Sequence, residues 1–169
     1  MEVKTNCALS LEIGVDSIGY AVAPIRLSSE IKHGVHHLYS ITPEGRLCEV
    51  TGFIYSLLNQ YPVTRAFITK PSITRHYGDT GRLSVPATKQ LALMAANWGV
   101  ITLVLSVKKV EVEHMPHEVY RRRDSNENEA IRNLVRVLRE ITGIDPEDEA
   151  EESDGNQTIW ERTCAALSV

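Results

Sequence analysis

Glu12 is the carboxylate in this chain whose position most demands a chemical explanation. It lies inside the apolar run of residues 7–15, where a carboxylate without water or partners costs several kcal/mol or shifts its pKa. Such an acid either belongs to a site or ends a strand where its head group reaches solvent. The other acids have plainer roles open to them. Asp16 suits a hairpin turn, Asp154 suits the N-cap of a helix, and residues 147–152 read as a solvated linker. On the basic side, Lys70, Arg75 and Arg82 share one polar stretch with His76 and Tyr77, a composition able to track a phosphate backbone. Arg121, Arg122 and Arg123 form a second cationic run. Plain solvated surface is the alternative for both. The six histidines show no HExxH spacing, and His36 and His37 fall on opposite faces of a strand, so no metal chemistry is assigned to them. Cys7, Cys48 and Cys164 form no CxxC pair and are expected as buried, reduced thiols.

These residues need a scaffold, and the chain is long enough to build one. A length of 169 residues suits a single domain over 1–169, which buries roughly two-thirds of the surface its unfolded form exposes. The net charge of −4 is unevenly spread: residues 1–139 carry 17 Lys/Arg against 13 Asp/Glu, and residues 140–169 carry Arg162 against nine acids. The mildly basic body permits contact with nucleic acid without demanding it. No stretch reads as the roughly 20 apolar residues of a membrane span, and Met1-Glu2-Val3-Lys4 lacks a signal-peptide pattern, so a soluble, intracellular product is expected.

Periodicity then places the elements. Residues 7–15 and 17–25 read as a hairpin and 35–41 as a third strand, ended by a turn at Pro43-Glu44-Gly45. Leu47, Val50, Ile54, Leu57, Leu58 and Tyr61 recur at three- and four-residue steps, which predicts an amphipathic helix stopped by Pro62. Residues 64–68 make a short central strand, and 70–86 a long exposed loop of the kind that often carries function. A second helix over 87–98 is closed by Gly99. The β-branched content of 100–107 predicts a buried strand, which 110–114 extends or flanks. Residues 126–141 form a third helix with Ile131, Leu134, Val135, Leu138 and Ile141 on one face. An acidic linker at about 145–154 leads to a last helix at 156–167. The order β-β-β-α-β-α-β-α-α predicts an α/β fold with a mixed sheet, an antiparallel three-strand meander plus parallel strands, and helices on both faces.

The segment Leu11-Glu12-Ile13-Gly14-Val15-Asp16-Ser17-Ile18-Gly19-Tyr20-Ala21-Val22 resembles the first motif of the RuvC family of Holliday-junction resolvases, which have the RNase H-like fold. In that motif an acid ends strand one and a Gly-aromatic pair opens strand two. The family spaces the acid seven residues before the glycine, as Glu12 stands before Gly19. The RuvC domain of CRISPR effector nucleases opens in the same way. Sugar kinases and actin-like ATPases share a related strand-turn-strand that holds phosphate, but they need two such domains and this length supplies one.

The resemblance implies branched DNA as substrate, Mg²⁺ or Mn²⁺ as cofactor, and a homodimer whose two-fold axis matches a symmetric junction. Family members hold metal with four carboxylates, because two Mg²⁺ ions about 4 Å apart clamp the scissile phosphate and hard cations need oxygen ligands. Carried onto this chain, the first acid is Glu12, one methylene longer than the usual Asp. The central-strand acid falls on or near Thr69, a neutral hydroxyl. The last-helix pair falls on Asp154 and approximately Gln157, with Glu151 or Glu152 contributing if the register shifts. Glu12 and Asp154 are thus the implied catalytic and metal-binding residues. Lys70, Arg75, Tyr77, Arg82, Arg121, Arg122 and Arg123 are the implied nucleic-acid contacts, the arginine run standing where relatives carry cations beside the site. The family's lysine at the start of the third helix has no counterpart in Asn126-Glu127-Asn128-Glu129. Two functions follow as expectations: a structure-specific endonuclease on branched DNA, or a catalytically degenerate domain that keeps the fold for DNA binding or assembly. A phosphate-handling domain of the kinase and ATPase kind is the weaker third.

Overall fold

The strand β1 (Cys7–Ile13) is buried along its whole length, so both of its faces must be covered. Its odd residues Cys7, Leu9, Leu11 and Ile13 enter one hydrophobic cluster and Ala8 enters another, following the two-residue alternation of a strand. The structure, a computed structural model, describes residues 6–25, 31–71, 85–115 and 126–142.

Around β1 a five-stranded sheet forms in the order β3-β2-β1-β4-β5. β2 (Ser17–Pro24) returns antiparallel to β1, and β3 (Lys32–His37) runs antiparallel to β2. β4 (Val63–Thr69) and β5 (Glu111–Met115) add in parallel on the other side. The third strand ends earlier than residue 41 because the chain leaves the sheet there: the Leu38 N–H bonds to the Asp16 carbonyl at 2.9 Å.

The helix α1 (Pro43–Gln60) starts four residues before the apolar periodicity does. Pro43-Glu44-Gly45 is its first turn, not a separate one. Thr42 is the N-cap and its hydroxyl accepts from the Gly45 N–H at 3.2 Å, and a proline at the first position lacks only a donor that would be orphaned anyway. Gly45 is the residue that fits beneath this cap, since a Cβ there would overlap the Ser40 side chain.

α2 (Val85–Val107) overturns the predicted helix–Gly99–strand arrangement, because it is one continuous helix of 23 residues. Ile101, Val104 and Leu105 are buried at helical spacing. The intrinsic penalty of β-branched residues in a helix is only a few tenths of a kcal/mol, which such packing exceeds. Gly99 lies mid-helix. The stop comes at Lys109, whose φ of 58° is left-handed, with the Lys109 and Val110 N–H groups bonding back to Ser106 and Leu105 carbonyls. One consequence is that residues Thr88–Val107 now form a helix with mean hydropathy 1.7, long and apolar enough by composition to cross a membrane.

α1 and α2 cover one face of the sheet, around Leu9, Leu11, Ile54, Ile68, Ile101 and Leu105. α3 (Asn126–Thr142) covers the other, through Ala130, Ile131, Leu134, Val135, Val137 and Leu138 against Ala8, Ala21, Phe67 and Met115. The layered architecture with helices on both faces is therefore present. The acidic linker at 145–154 and the helix at 156–167 lie outside the described residues. Of the cysteines, Cys7 is buried but Cys48 is exposed on α1, since position 48 points away from the buried Val50–Ile54–Leu57 stripe.

Candidate functional site

Alternation along β1 puts Ala8, Ser10 and Glu12 on the face covered by α3. Glu12 is therefore buried at 5% exposure, and the strand-end alternative, a carboxylate reaching solvent, is not what the fold builds. Across the antiparallel pair Glu12 meets Gly19, which sets no side chain beside it. The parallel register with β4 runs Ser10 to Phe67 and Leu11 to Ile68. One step further along both strands, Glu12 and Thr69 are neighbours on the same face.

Thr69 is also buried, at 6% exposure. Its hydroxyl accepts a 3.1 Å hydrogen bond from the Asn133 amide, reaching down from α3. Ser10, fully buried one alternation below Glu12, has an Oγ that makes no hydrogen bond. Lys70 follows Thr69, is exposed, and is tied to β5 by its N–H to the Met115 carbonyl at 3.0 Å. Thus Glu12, Thr69 and Lys70 come together at the C-terminal ends of the parallel strands, the usual place for sites in open α/β sheets. Asp154, Gln157, Glu151 and Glu152 lie outside the described residues, as do Arg75, Tyr77, Arg82, Arg121, Arg122 and Arg123.

Asn133 and Ser10 went unnoticed in the sequence although each left a signal. Asn133 interrupts the buried stripe Ala130–Val137 at helical spacing, and a polar residue inside such a stripe needs a partner. Ser10 lies in phase with Glu12 by the two-residue period.

The opposite face of the sheet end is aromatic. His114 stacks obliquely on Trp98, centroids 4.9 Å apart, and burial with the Lys70 charge beside it pushes the His114 pKa down. On β3, His36 lies flat on Phe53 at 4.3 Å. Burial lowers the His36 pKa, opposed by the Glu49 carboxylate and aided by His37. Among the described residues no group of three His, Cys, Asp or Glu side chains is placed to hold a metal ion.

The described part of the site therefore offers one carboxylate, one hydroxyl held by an amide, and one flanking ammonium. Alone it does not fit a divalent cation, which wants several anionic oxygens.

No protein-family model and no curated protein sequence matches the chain. Among solved structures it is similar to Thermus thermophilus RuvC in complex with Holliday junction substrate, with a TM-score of 0.51 at 11% identity over 95% of this chain and 90% of that one. It is likewise similar to the yeast mitochondrial Holliday junction resolvase, with a TM-score of 0.50 at 10% identity over 96% and 77%. The fold is RNase H-like. The mixed five-stranded sheet with helices on both faces is the fold this chain shares with those resolvases.

Proposed function

We propose that this chain is a RuvC-like, structure-specific nucleic-acid protein that binds branched DNA, of which the Holliday junction is the model substrate. The observation that supports it most is the buried Glu12 carboxylate, set beside Thr69 at the C-terminal end of the parallel strands in a resolvase-like fold. Lys70 flanks that carboxylate, and Arg75, Tyr77, Arg82 and Arg121–123 supply the further contacts to phosphate in this reading. The endonuclease form of the proposal takes Glu12 and Asp154 as ligands for Mg²⁺ or Mn²⁺, with Glu151, Glu152 or Gln157 completing the set.

A second reading, catalytic degeneracy with retained DNA binding, draws on a specific observation. The Asn133 amide donates to the Thr69 hydroxyl, and in this reading the family's central-strand carboxylate falls on or near Thr69, where the chain offers a neutral group.

Both readings include a homodimer, and α2 is the face proposed for it. From Gln90 to Val107 it carries no charged residue, and Leu103 and Val107 stand exposed.

Labelled four-way junctions with Mn²⁺ test the proposal, comparing wild type with Glu12→Gln and Asp154→Asn. Cleavage lost in both variants is the expected result for the endonuclease. Binding without cleavage in the wild type selects the degenerate form, and no binding at all removes both.

A further inference from the structure

Residues 38–42 connect β3 to α1 at the sheet end that carries Glu12, and side chains of α1 tie their backbone down. The Glu49 carboxylate accepts from the Tyr39 N–H at 3.3 Å and the Ser40 N–H at 2.9 Å. The Arg46 guanidinium donates from Nε to the Ser40 carbonyl at 3.2 Å, and from Nη1 to the Val15 carbonyl at 2.6 Å and Asp16 Oδ1 at 2.8 Å. These charge-assisted bonds are the stronger class of hydrogen bond and fix the loop to the β1–β2 turn.

What the clamp presents outward is apolar. Tyr39 is 80% exposed and Ile41 97% exposed, two residues apart, with the His37 ring 6.3 Å from that of Tyr39. A single exposed apolar residue needs no explanation, but two on one rigid loop beside a candidate site do. The carboxylates behind the loop are both engaged, Glu49 by two backbone N–H groups of the loop and Asp16 by Arg46, which also donates to the Ser40 carbonyl.

We propose that loop 39–41 is a preformed stacking contact for an unstacked base at the branch of the DNA, an inference that rests on the branched-DNA reading above. Tyr39 lies on the face of the base and Ile41 wedges beside it. Aromatic faces stack on any base, and aliphatic side chains insert at opened base steps. Because the loop is already ordered, little conformational entropy is lost on contact. Val35 lies across Gly19 from Glu12 in the sheet. Tyr39 follows two residues after β3 ends at His37, so it stands at the same end of the sheet as Glu12.

The test titrates the full chain onto four-way junctions carrying the fluorescent base 2-aminopurine at successive positions up to six nucleotides from the branch. Wild type is compared with Tyr39→Ala, Ile41→Ala, Tyr39→Trp and Glu49→Ala. Wild type should change the fluorescence at a position near the branch. Tyr39→Ala should lose that signal and bind roughly 5- to 150-fold more weakly, while Tyr39→Trp restores both. Glu49→Ala, which frees the loop but keeps the ring, should weaken the signal. If wild type binds the junction and Tyr39→Ala and Ile41→Ala match it in signal and affinity, the proposal fails and the branched-DNA reading stands. A changed sedimentation mass for Tyr39→Ala, with DNA binding intact, overturns it in favour of contact between copies. Absence of junction binding by wild type sinks the branched-DNA reading itself, and the stacking contact with it.

Discussion

At the scale of residues, Thr69 and Asn133 explain how Glu12 is accommodated under α3. Two adjacent buried carboxylates repel, and one takes up a proton unless a cation sits between them. A hydroxyl that accepts from an amide at 3.1 Å adds no charge and leaves neither partner unsatisfied. The sheet end thereby sets a neutral neighbour, not a second carboxylate, beside its buried acid. His36 shows the opposite balance, a titratable ring held neutral by burial on Phe53. Its native pKa lies below the ordinary histidine value of about 6.5, so as pH falls through that value the unfolded chain binds the proton first. Stability is therefore present above about pH 6.5 and declines below it. His36→Phe keeps the stacked ring and removes the proton site. Urea unfolding at a series of pH values should show a shallower decline between about pH 7 and 5 than in wild type, with His114 supplying part of the remaining slope.

Among elements, the junction of α1 with the β1–β2 turn depends on one guanidinium. Arg46 donates to the Val15 and Ser40 carbonyls and to Asp16, and its side chain is 15% exposed where that of Asp16 is 72% exposed. The pair with Asp16 is thus a surface ion pair worth under about 1 kcal/mol, whereas the carbonyl bonds are the part that removal would leave unsatisfied. Arg46→Ala is expected to lower stability by about 1.5–3 kcal/mol and Asp16→Asn by less than about 1 kcal/mol, measured by equilibrium denaturation. Equal losses in the two variants would put the weight on the ion pair and contradict this account.

For the whole molecule the distinguishing feature is α2, roughly 35 Å long at 1.5 Å per residue. One side packs on the sheet and α1. The other presents Leu103 and Val107 to solvent together with Gly99, where an added Cβ would meet nothing within 4 Å. Among the described residues no contact requires a glycine there, and it costs the helix about 1 kcal/mol relative to alanine. The homodimer proposed above would place a second copy against this face. Leu103→Lys should leave the circular dichroism spectrum unchanged and weaken self-association at least tenfold by sedimentation equilibrium. A wild-type chain that is monomeric at tens of micromolar would refute the α2 dimer.

Local pattern alone determined much of this protein. The seven-residue step from Glu12 to Gly19, the two-residue alternation of β1 and the helical spacing of Val50, Ile54 and Leu57 are short-range properties, and they were enough for the β1–β2 hairpin and α1 and for singling out Glu12 as either buried or at a strand end. Local pattern failed at residues 100–107, where β-branched content is compatible with strand or helix and only packing on Ile68 and Leu11 selects the helix. It failed again at Pro43-Glu44-Gly45, where turn residues and a helix's first turn use the same chemistry. The partners of the site were beyond its reach altogether. Asn133 meets Thr69 across 64 residues of chain and Arg46 meets Val15 across 31, pairings that exist only once the sheet and its two helical layers bring distant segments within hydrogen-bond range.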